Sequence, residues 1–222
     1  MGDLSAYLAV QVSNFFPDGP VSPETLRPFV NAGFERTEYS FSRIKTKYYS
    51  DGEITVFDHL NTNHYASFLY FVSNSIFREN GDLRLAKKVF GLNKALHGVD
   101  IFFEVEMPDV FLLVHPVGTV LGRARYGNFL CVYQGCSVGA NLDDVHPTFG
   151  DGVILYGGSR VIGNSQVGNN CIIAPNAVVI DAVIPPNTIT FGLPPGTVSK
   201  STRHNVIAQV FGRTEWKTAS RT

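Results

Sequence analysis

The sequence predicts an α+β chain in which an N-terminal α-helical domain precedes a left-handed parallel β-helix. Three observations lead to this fold class. Helix-capping signals and apolar residues spaced three or four apart fill about the first hundred residues. An apolar period of six residues then replaces that spacing. Glycine and asparagine residues cluster between the apolar positions of the second half, as expected where a chain must turn sharply every few residues.

The N-terminal half carries three predicted helices. Ser22-Pro23-Glu24 supplies an N-cap, a proline at the first helical position and an early acidic residue, so a helix is expected over about 23–33. Residues 58–79 have a wide apolar face that predicts a second helix. Asp82 can cap a third helix, which should end at Gly98 because glycine commonly follows the last helical turn.

Two further features of this half are predicted to be structural. Residues 48–57 suit an extended excursion with a turn at Asp51-Gly52. His59 and His64 lie five residues apart, and we place them on the polar side of the second helix. Packing or surface exposure explains that pair better than a binding site does.

The second half repeats an apolar residue at every sixth position. The series comprises Val114, Val120, Tyr126, Val132 and Val138, then Phe149, Leu155, Val161, Val167, Ile173 and Val179. A hexad period is typical of a parallel β-helix, in which each hexad forms a short strand and a turn and three hexads close one triangular coil. Stacked coils need caps at both ends. An antiparallel sandwich also has short strands and many glycines, but its turns keep no fixed interval.

One break interrupts the period. The series jumps by eleven between Val138 and Phe149, which leaves five residues more than a hexad holds. These predict a loop ejected from the prism within 140–145, carrying Asp143 and Asp144 and ending at His146-Pro147. Loops on rigid scaffolds commonly carry function.

The pattern divides the chain into three regions. We expect a helical N-terminal domain over 1–100, a β-helix over 101–196 and a C-terminal tail over 197–222. The helical region would cap one end of the coil and the tail the other end.

Composition excludes several classes of function. A net charge of −1 gives no general attraction to nucleic acid or anionic lipid. No apolar run is long enough to span a membrane, and no signal-peptide pattern opens the chain. The three cysteines have neither CxxC nor Cys/His metal spacing, which predicts buried thiols in a reducing compartment. We therefore expect a soluble cytoplasmic protein with no nucleic-acid or membrane partner.

Several segments of the second half resemble a known family. They are FFEVEMPD at 102–109, HPVGTVLG at 115–122, the glycine-rich run over 133–179 and FGLPPGTVSK at 191–200. On these motifs, residues 92–200 resemble the serine acetyltransferases, within the wider class of hexapeptide-repeat acyltransferases. The N-terminal half matches that family only in being helical.

The resemblance implies catalytic histidines. The family's two histidines fall on His115 and His146, and one of them removes the proton from the substrate hydroxyl. We favour His115 as the base, although the resemblance leaves open which histidine has which role. Two positions depart from the family, since Val114 replaces an aspartate that helps to hold serine and Arg123 replaces a glutamate. Those losses weaken the case for serine more than the case for acyl transfer.

The resemblance also implies the remaining ligands. Acetyl-CoA would be the co-substrate and a small-molecule hydroxyl the acceptor, without a metal. Asp109, Asp143 and Asp144 are candidate substrate-binding residues. The residues that match the family's acetyl-CoA groove are Gly157, Gly158, Ala174 and Pro175, with Gly192 and Lys200 near its nucleotide end. The family pattern predicts a homotrimer, or a hexamer if the helical halves pair two trimers.

The chemistry fits these residues. An imidazole has an unperturbed pKa near 6.5, which suits a base that deprotonates an alcohol as it attacks. Backbone N–H groups in glycine-rich turns can stabilise the oxyanion that forms. Direct attack on a bound thioester needs no covalent enzyme intermediate, so the cysteines are not predicted nucleophiles.

Three alternatives remain from the sequence. The closest is an acetyltransferase for a sugar or a nucleotide-linked sugar in surface polysaccharide synthesis, which Val114 and the atypical helical half favour. A zinc hydratase would need three histidines from neighbouring subunits, whereas the predicted β-helix offers only His115 and His146. A non-catalytic assembly protein could also retain this scaffold.

Overall fold

The structure is a computed structural model that describes residues 3–50, 54–79 and 81–212. The described residues begin with four helices. They are α1 (Leu4–Phe15), α2 (Pro23–Phe41), α3 (Thr62–Arg78) and α4 (Leu83–His97). No helix within the described ranges is long and apolar enough to cross a membrane.

Two of these helices differ from the predictions. Helix α1 was not predicted, although Asp3 caps it by accepting a hydrogen bond from the Ser5 N–H at 2.9 Å. Helix α2 continues to Phe41 instead of ending near residue 33. A Cβ atom on Gly33 would lie 2.7 Å from Cγ2 of Val72 and 2.9 Å from its backbone nitrogen. Gly33 therefore marks a close crossing of α2 and α3, and it does not end the helix.

The other local predictions have mixed outcomes. The caps of α4 are confirmed, because Asp82 accepts from the Arg84 N–H and Gly98 adopts a left-handed φ of 62°. The turn expected at Asp51-Gly52 lies outside the described residues. The placement of His64 on a polar face was wrong: its side chain is only 1% exposed because α3 is buried along almost its whole length.

After α4 the chain forms a β-helix of about four turns, followed by a short helix. The strands are β1 (Phe111–Val114), β2 (Val120–Leu121), β3 (Leu130–Tyr133), β4 (Ser137–Gly139), β5 (Thr148–Phe149), β6 (Ile154–Leu155), β7 (Arg160–Ile162), β8 (Gln166–Val167), β9 (Ile172–Ile173), β10 (Val178–Ile180), β11 (Val183–Ile184), β12 (Thr188–Phe191) and β13 (Val198–Ser201), before helix α5 (Val206–Val210). This α-helical region followed by a left-handed parallel β-helix confirms the predicted fold class.

The strands stack into the three sides of a prism. The first sheet has the order β1-β3-β6-β9-β12-β13, the second β10-β7-β4-β2 and the third β11-β8-β5. All neighbours pair in parallel except β12 and β13, which are antiparallel. We call the turn from the first to the second sheet the first corner, the next turn the second corner, and the return to the first sheet the third corner.

The interior of the prism is filled by three apolar ladders. They run Leu113-Val132-Leu155-Ile173, Leu121-Val138-Val161-Val179 and Tyr126-Phe149-Val167-Ile184. From Val132 to Val179 they coincide with the predicted hexad series. In the first coil the prediction was wrong, because Val114 is half-buried on the outer face and Val120 is 44% exposed. Leu113 and Leu121 occupy the interior instead.

The helical half covers the outer face of the first sheet. Leu112, Cys131, Ile154 and Ile172 point outward from successive coils and join the same apolar cluster as the helices. The rings of α3 also close the start of the prism, with Phe71 5.2 Å from Phe111. The first sheet is therefore buried on both faces over most of its height.

The segment after β12 extends this cover. Strand β13 pairs antiparallel with β12, and α5 then returns toward the end of α2. The Lys45 N–H donates to the Val210 carbonyl at 2.9 Å. Phe211 is fully buried, with its ring 5.5 Å from Phe129. Residues 197–212 thus fold back against β12 and the end of α2.

Candidate active site

The first corner of the prism forms a ladder of small residues. Gly118, Gly135, Gly158 and Asn176 stack there with φ between 59° and 75°. Backbone hydrogen bonds join successive coils, as where the Gly158 N–H donates to the Gln134 carbonyl at 2.9 Å. A Cβ atom added at Gly118 or Gly135 would face the glycine of the next coil, which is Gly135 or Gly158 respectively. The corner is therefore a narrow edge lined by backbone amides, which suits a long thin ligand.

His115 lies at the beginning of this edge. Residue pairing aligns Leu113 with Val132 and Val120 with Ser137. Between these two paired positions the chain advances by seven residues in the first coil and by five in the second. The first corner of the first coil therefore contains two extra residues. This expansion places His115 outside the stack, with an exposed side chain and a left-handed φ of 49°. The same expansion shifts the interior positions of the first coil.

Helix α3 holds the backbone of that expansion. The His115 N–H donates to Oδ1 of Asn63 at 3.1 Å, and the Val117 N–H donates to the His115 carbonyl at 2.7 Å. Asn63 lies in the first turn of α3, next to the buried His64. Burial lowers the pKa of His64 to about 4, so His64 is an uncharged packing residue near neutral pH. The helical half therefore helps to fix the position of His115.

The second corner carries the ejected loop. Pairing aligns Gly139 with Ile162 and Thr148 with Gln166. Between these two paired positions the chain advances by nine residues in the second coil and by four in the third. The predicted excess of five residues is therefore confirmed. His146 lies at the end of this loop, and Nε2 of its imidazole is 3.5 Å from Oδ1 of Asp144. In the described part of the chain, its buried Nδ1 atom has no hydrogen-bond partner.

The two histidines occupy different corners of one prism. His115 is at the first corner of coil one and His146 at the second corner of coil two, on either side of the second sheet. A three-residue strand spans about 10 Å, so the two imidazoles are not adjacent within one chain. A site that uses both would need a second copy of the chain.

The predicted ligand-binding residues fall into three places. Gly157, Gly158, Ala174, Pro175 and Gly192 lie along the first corner, on the same edge as His115. Lys200 lies on β13 opposite Ile189. Asp143 and Asp144 are exposed in the second-corner loop.

The remaining candidate, Asp109, lies elsewhere. It precedes β1 and His115 follows that strand, so the two are at opposite ends of the strand. Asp109 is exposed. This chain alone therefore does not bring Asp109 together with the histidines.

The cysteines are buried and unpaired. Cys131, Cys136 and Cys171 are all free thiols with almost no exposure, as predicted. Burial raises the pKa of the Cys131 thiol to about 12. A thiol in that state is a poor nucleophile, because the thiolate is the reactive form.

Over 3–50, 54–79 and 81–212, no cluster of three or more His, Cys, Asp or Glu side chains could hold a metal ion.

Part of the chain is similar in sequence to known proteins. A family model described as bacterial transferase hexapeptide (six repeats) matches residues 146–181. A serine acetyltransferase of Mycobacterium tuberculosis is 31% identical over 127 residues, which cover 55% of this chain and 55% of that protein. The serine acetyltransferase of Synechococcus elongatus is 30% identical over 114 residues, covering 50% and 46%. The chain thus spans about half the length of the curated relatives it matches.

Solved structures extend the likeness to the helical half. A serine acetyltransferase of Vibrio cholerae superposes with a TM-score of 0.73 at 22% identity, covering 91% of this chain and 80% of that chain. A serine acetyltransferase in complex with CoA superposes with a TM-score of 0.70 at 20% identity, covering 89% and 83%. At this level of identity the likeness establishes the fold. The chain thus carries a hexapeptide-repeat match over residues 146–181 and resembles the serine acetyltransferases in sequence over about half its length and in fold over most of it.

Proposed function

We propose that this protein transfers the acetyl group of acetyl-CoA to the hydroxyl of serine or a similar small molecule, at a cleft between subunits of a homotrimer. The observation that carries the proposal is the first-corner edge. It combines an exposed histidine, His115, with four coils of small or turn-forming residues and their backbone amides. The relatives named serine acetyltransferase, and the related structure that contains CoA, support the choice of co-substrate.

The proposed reaction is direct transfer. The acceptor hydroxyl oxygen attacks the thioester carbonyl while the imidazole of His115 removes its proton. The tetrahedral oxyanion is stabilised by backbone N–H groups of the corner turns. It collapses with loss of the CoA thiolate, which takes the proton back from the imidazolium. His146 acts from the neighbouring subunit at the acceptor end of the cleft. No step uses the buried cysteines.

The faces of the prism that remain uncovered support the proposed trimer. The helices and residues 197–212 cover the first sheet, so only the second and third sheets can meet another prism. Those sheets expose Val120, Ile180 and Val183 to 44%, 46% and 69%. Burying exposed apolar side chains favours association. A threefold arrangement of prisms would bring the first corner of one subunit to the second corner of the next, and so pair His115 with His146.

A sugar acceptor is the second candidate, because the residues that directly precede the two histidines in the chain, Val114 and Val145, are uncharged. Val114 pairs with Tyr133 on the outer face of the first sheet and offers no carboxylate to an amino group. Val145 precedes His146 and is 37% exposed. Release of free thiol from acetyl-CoA, measured with serine and separately with neutral sugars, distinguishes the two acceptors. No release with any acceptor would contradict both candidates.

Subunit mixing tests the shared site. His115→Ala and His146→Ala should each abolish most turnover while the fold is retained. If one site uses His115 of one subunit and His146 of the next, trimers re-formed from an equal mixture of the two variants contain about a quarter intact sites. We expect about a quarter of the wild-type kcat to return. Absence of recovery in trimers shown by mass to be mixed would contradict an intersubunit site.

A further inference from the structure

We propose that Asp181 and Asn141 are positioning residues that hold the loop of His146 in its working conformation. Asp181 belongs to coil four and Asn141 to coil two, and neither touches the imidazole itself. The inference rests on the proposed role of His146 in acyl transfer. It adds two residues to that reaction which neither the hexad pattern nor the resemblance to the acetyltransferases indicated.

Asn141 organises the loop from within. Its Oδ1 atom accepts hydrogen bonds from the N–H groups of Asp143 at 3.0 Å and Val145 at 3.1 Å. Its own N–H donates to the Val145 carbonyl at 3.2 Å, and its carbonyl accepts from the Asp144 N–H at 3.2 Å. Asn141, through its side chain and its backbone, therefore sets the backbone of the three residues that precede His146. Asp144, whose carboxylate approaches the imidazole, is held at a left-handed φ of 57°.

Asp181 holds Asn141 from two coils away. The same oxygen, Oδ1 of Asp181, accepts from Nδ2 of Asn141 at 3.1 Å and from the Asn164 N–H at 2.6 Å. Its carboxylate thus ties the ejected loop to the regular turn of coil three. Since the loop is otherwise exposed from Leu142 to Val145, this is the contact that fixes the loop against the prism.

The contact between Asp181 and Asn141 depends on a glycine. Gly163 of coil three lies between the two partners, with a φ of 71°. A Cβ atom there would collide with the Asp181 carboxylate and come within 3.1 Å of Cβ of Asn141. Any side chain at position 163 would therefore separate the loop from its anchor.

The third corner supplies a matched control. Oδ1 of Asn169 accepts from the Asp151 N–H at 2.8 Å and lies over Gly150, much as Asp181 accepts from Asn164 and lies over Gly163. Asn169 supports no ejected loop, and it is one prism side away from His146. Removal of the Asn169 side chain should lower the free energy of unfolding about as much as removal of the Asp181 side chain does, without changing the loop.

The test compares kcat and KM for acetyl-CoA in five variants. We expect Asp181→Ala and Asn141→Ala each to lower kcat by about tenfold to a hundredfold, because small misplacements of a reacting group have effects of that size. The KM for acetyl-CoA should stay near the wild-type value, since the first-corner edge is intact. The double variant should fall no further than the worse single variant, because both act through one loop. Asp181→Asn keeps the acceptor oxygen and should stay within about twofold of wild type, as should Asn169→Ala.

Hydrogen exchange gives a readout that is independent of activity. The amides of Asp143 and Val145 should exchange at least tenfold faster in Asp181→Ala than in the wild type, and should be unchanged in Asn169→Ala. The inference is overturned if these amides keep their wild-type rates in Asp181→Ala, or if Asn169→Ala loses as much kcat as Asp181→Ala. If the wild type transfers no acetyl group while the loop amides respond as expected, the positioning role is supported and the proposed activity fails alone.

Discussion

The first-corner ladder makes a quantitative prediction about two glycines. Gly135 and Gly158 are equivalent positions on successive coils, with φ of 66° and 75°. The surroundings of an added Cβ atom differ. At Gly135 the nearest atom would be the Gly158 nitrogen at 3.7 Å, an ordinary contact. At Gly158 the Cβ atom would collide with Oδ1 of Asn176. Alanine at each position therefore separates backbone strain from steric collision.

The magnitudes follow from these contacts. A left-handed alanine costs roughly 1–2 kcal/mol, and the reduced freedom of the unfolded chain returns about 0.4–1 kcal/mol. Gly135→Ala should thus lower the free energy of unfolding by about 1 kcal/mol. Gly158→Ala introduces the same backbone strain and also forces the Asn176 side chain out of its rotamer. It should therefore lower the free energy of unfolding by about 1 kcal/mol more than Gly135→Ala does. For a chain of this length, each kcal/mol corresponds to about 2–4 °C in Tm.

The assay is calorimetric unfolding at one fixed protein concentration, since the Tm of an oligomer depends on concentration. We expect Gly158→Ala to unfold at a lower temperature than Gly135→Ala. Adding Asn176→Gly to Gly158→Ala, with Asn176→Gly alone as the reference, removes the colliding atoms and should recover the difference. Equal Tm values for the two alanine variants, or no recovery in the double variant, would refute the steric account.

Three further predictions concern the core. Because burial lowers the pKa of His64 to about 4, the folded state binds that proton more weakly than the unfolded state does. The stabilisation is complete above about pH 6.5 and is lost as the pH falls toward 4, by about 3 kcal/mol at most. His64→Phe should therefore flatten the fall in urea midpoint between pH 7 and pH 4.5, and an unchanged slope would contradict this. Phe211→Ala should cost about 3 kcal/mol, because the ring is fully buried against Phe129, whereas the exposed Gln209→Ala should change the urea midpoint little. The raised pKa and burial of Cys131 predict slow native labelling by a thiol reagent and complete labelling on unfolding, so rapid native labelling would argue for an open thiol.

The repetitive part of the fold was predictable because its physics is local. Each side of the prism has room for one inward side chain per hexad, so the apolar period reports the coil directly. The five residues in excess of the six-residue period before Phe149 could be predicted for the same reason. The first coil was misread because His115 and Pro116 enlarge its first corner while Val114 and Val120, though apolar, point outward. An apolar residue in register satisfies the pattern whether it points inward or not.

The site was only partly predictable, because much of it depends on contacts between coils. The resemblance to the serine acetyltransferases indicated His115, His146 and the residues of the first-corner edge. The sequence could not indicate Asn141 or Asp181, since 40 residues separate them and nothing in a hexad marks a side chain that crosses two coils. A visible signal did exist for α1, because Asp3 precedes an apolar run as an N-cap does.

The two expansions of the prism coincide with the two histidines of the proposed site. In a strict stack each corner residue is flanked above and below by the same corner of its neighbours, and it can present little beyond a backbone amide. A side chain that must reach a ligand needs extra chain. The described residues contain two such expansions, of two residues at His115 and of five before His146, on adjacent coils and on either side of the second sheet. Coils three and four stack without such insertions, so the prism itself does not require them. Their coincidence with the two histidines therefore favours a shared catalytic role over two unrelated surface residues.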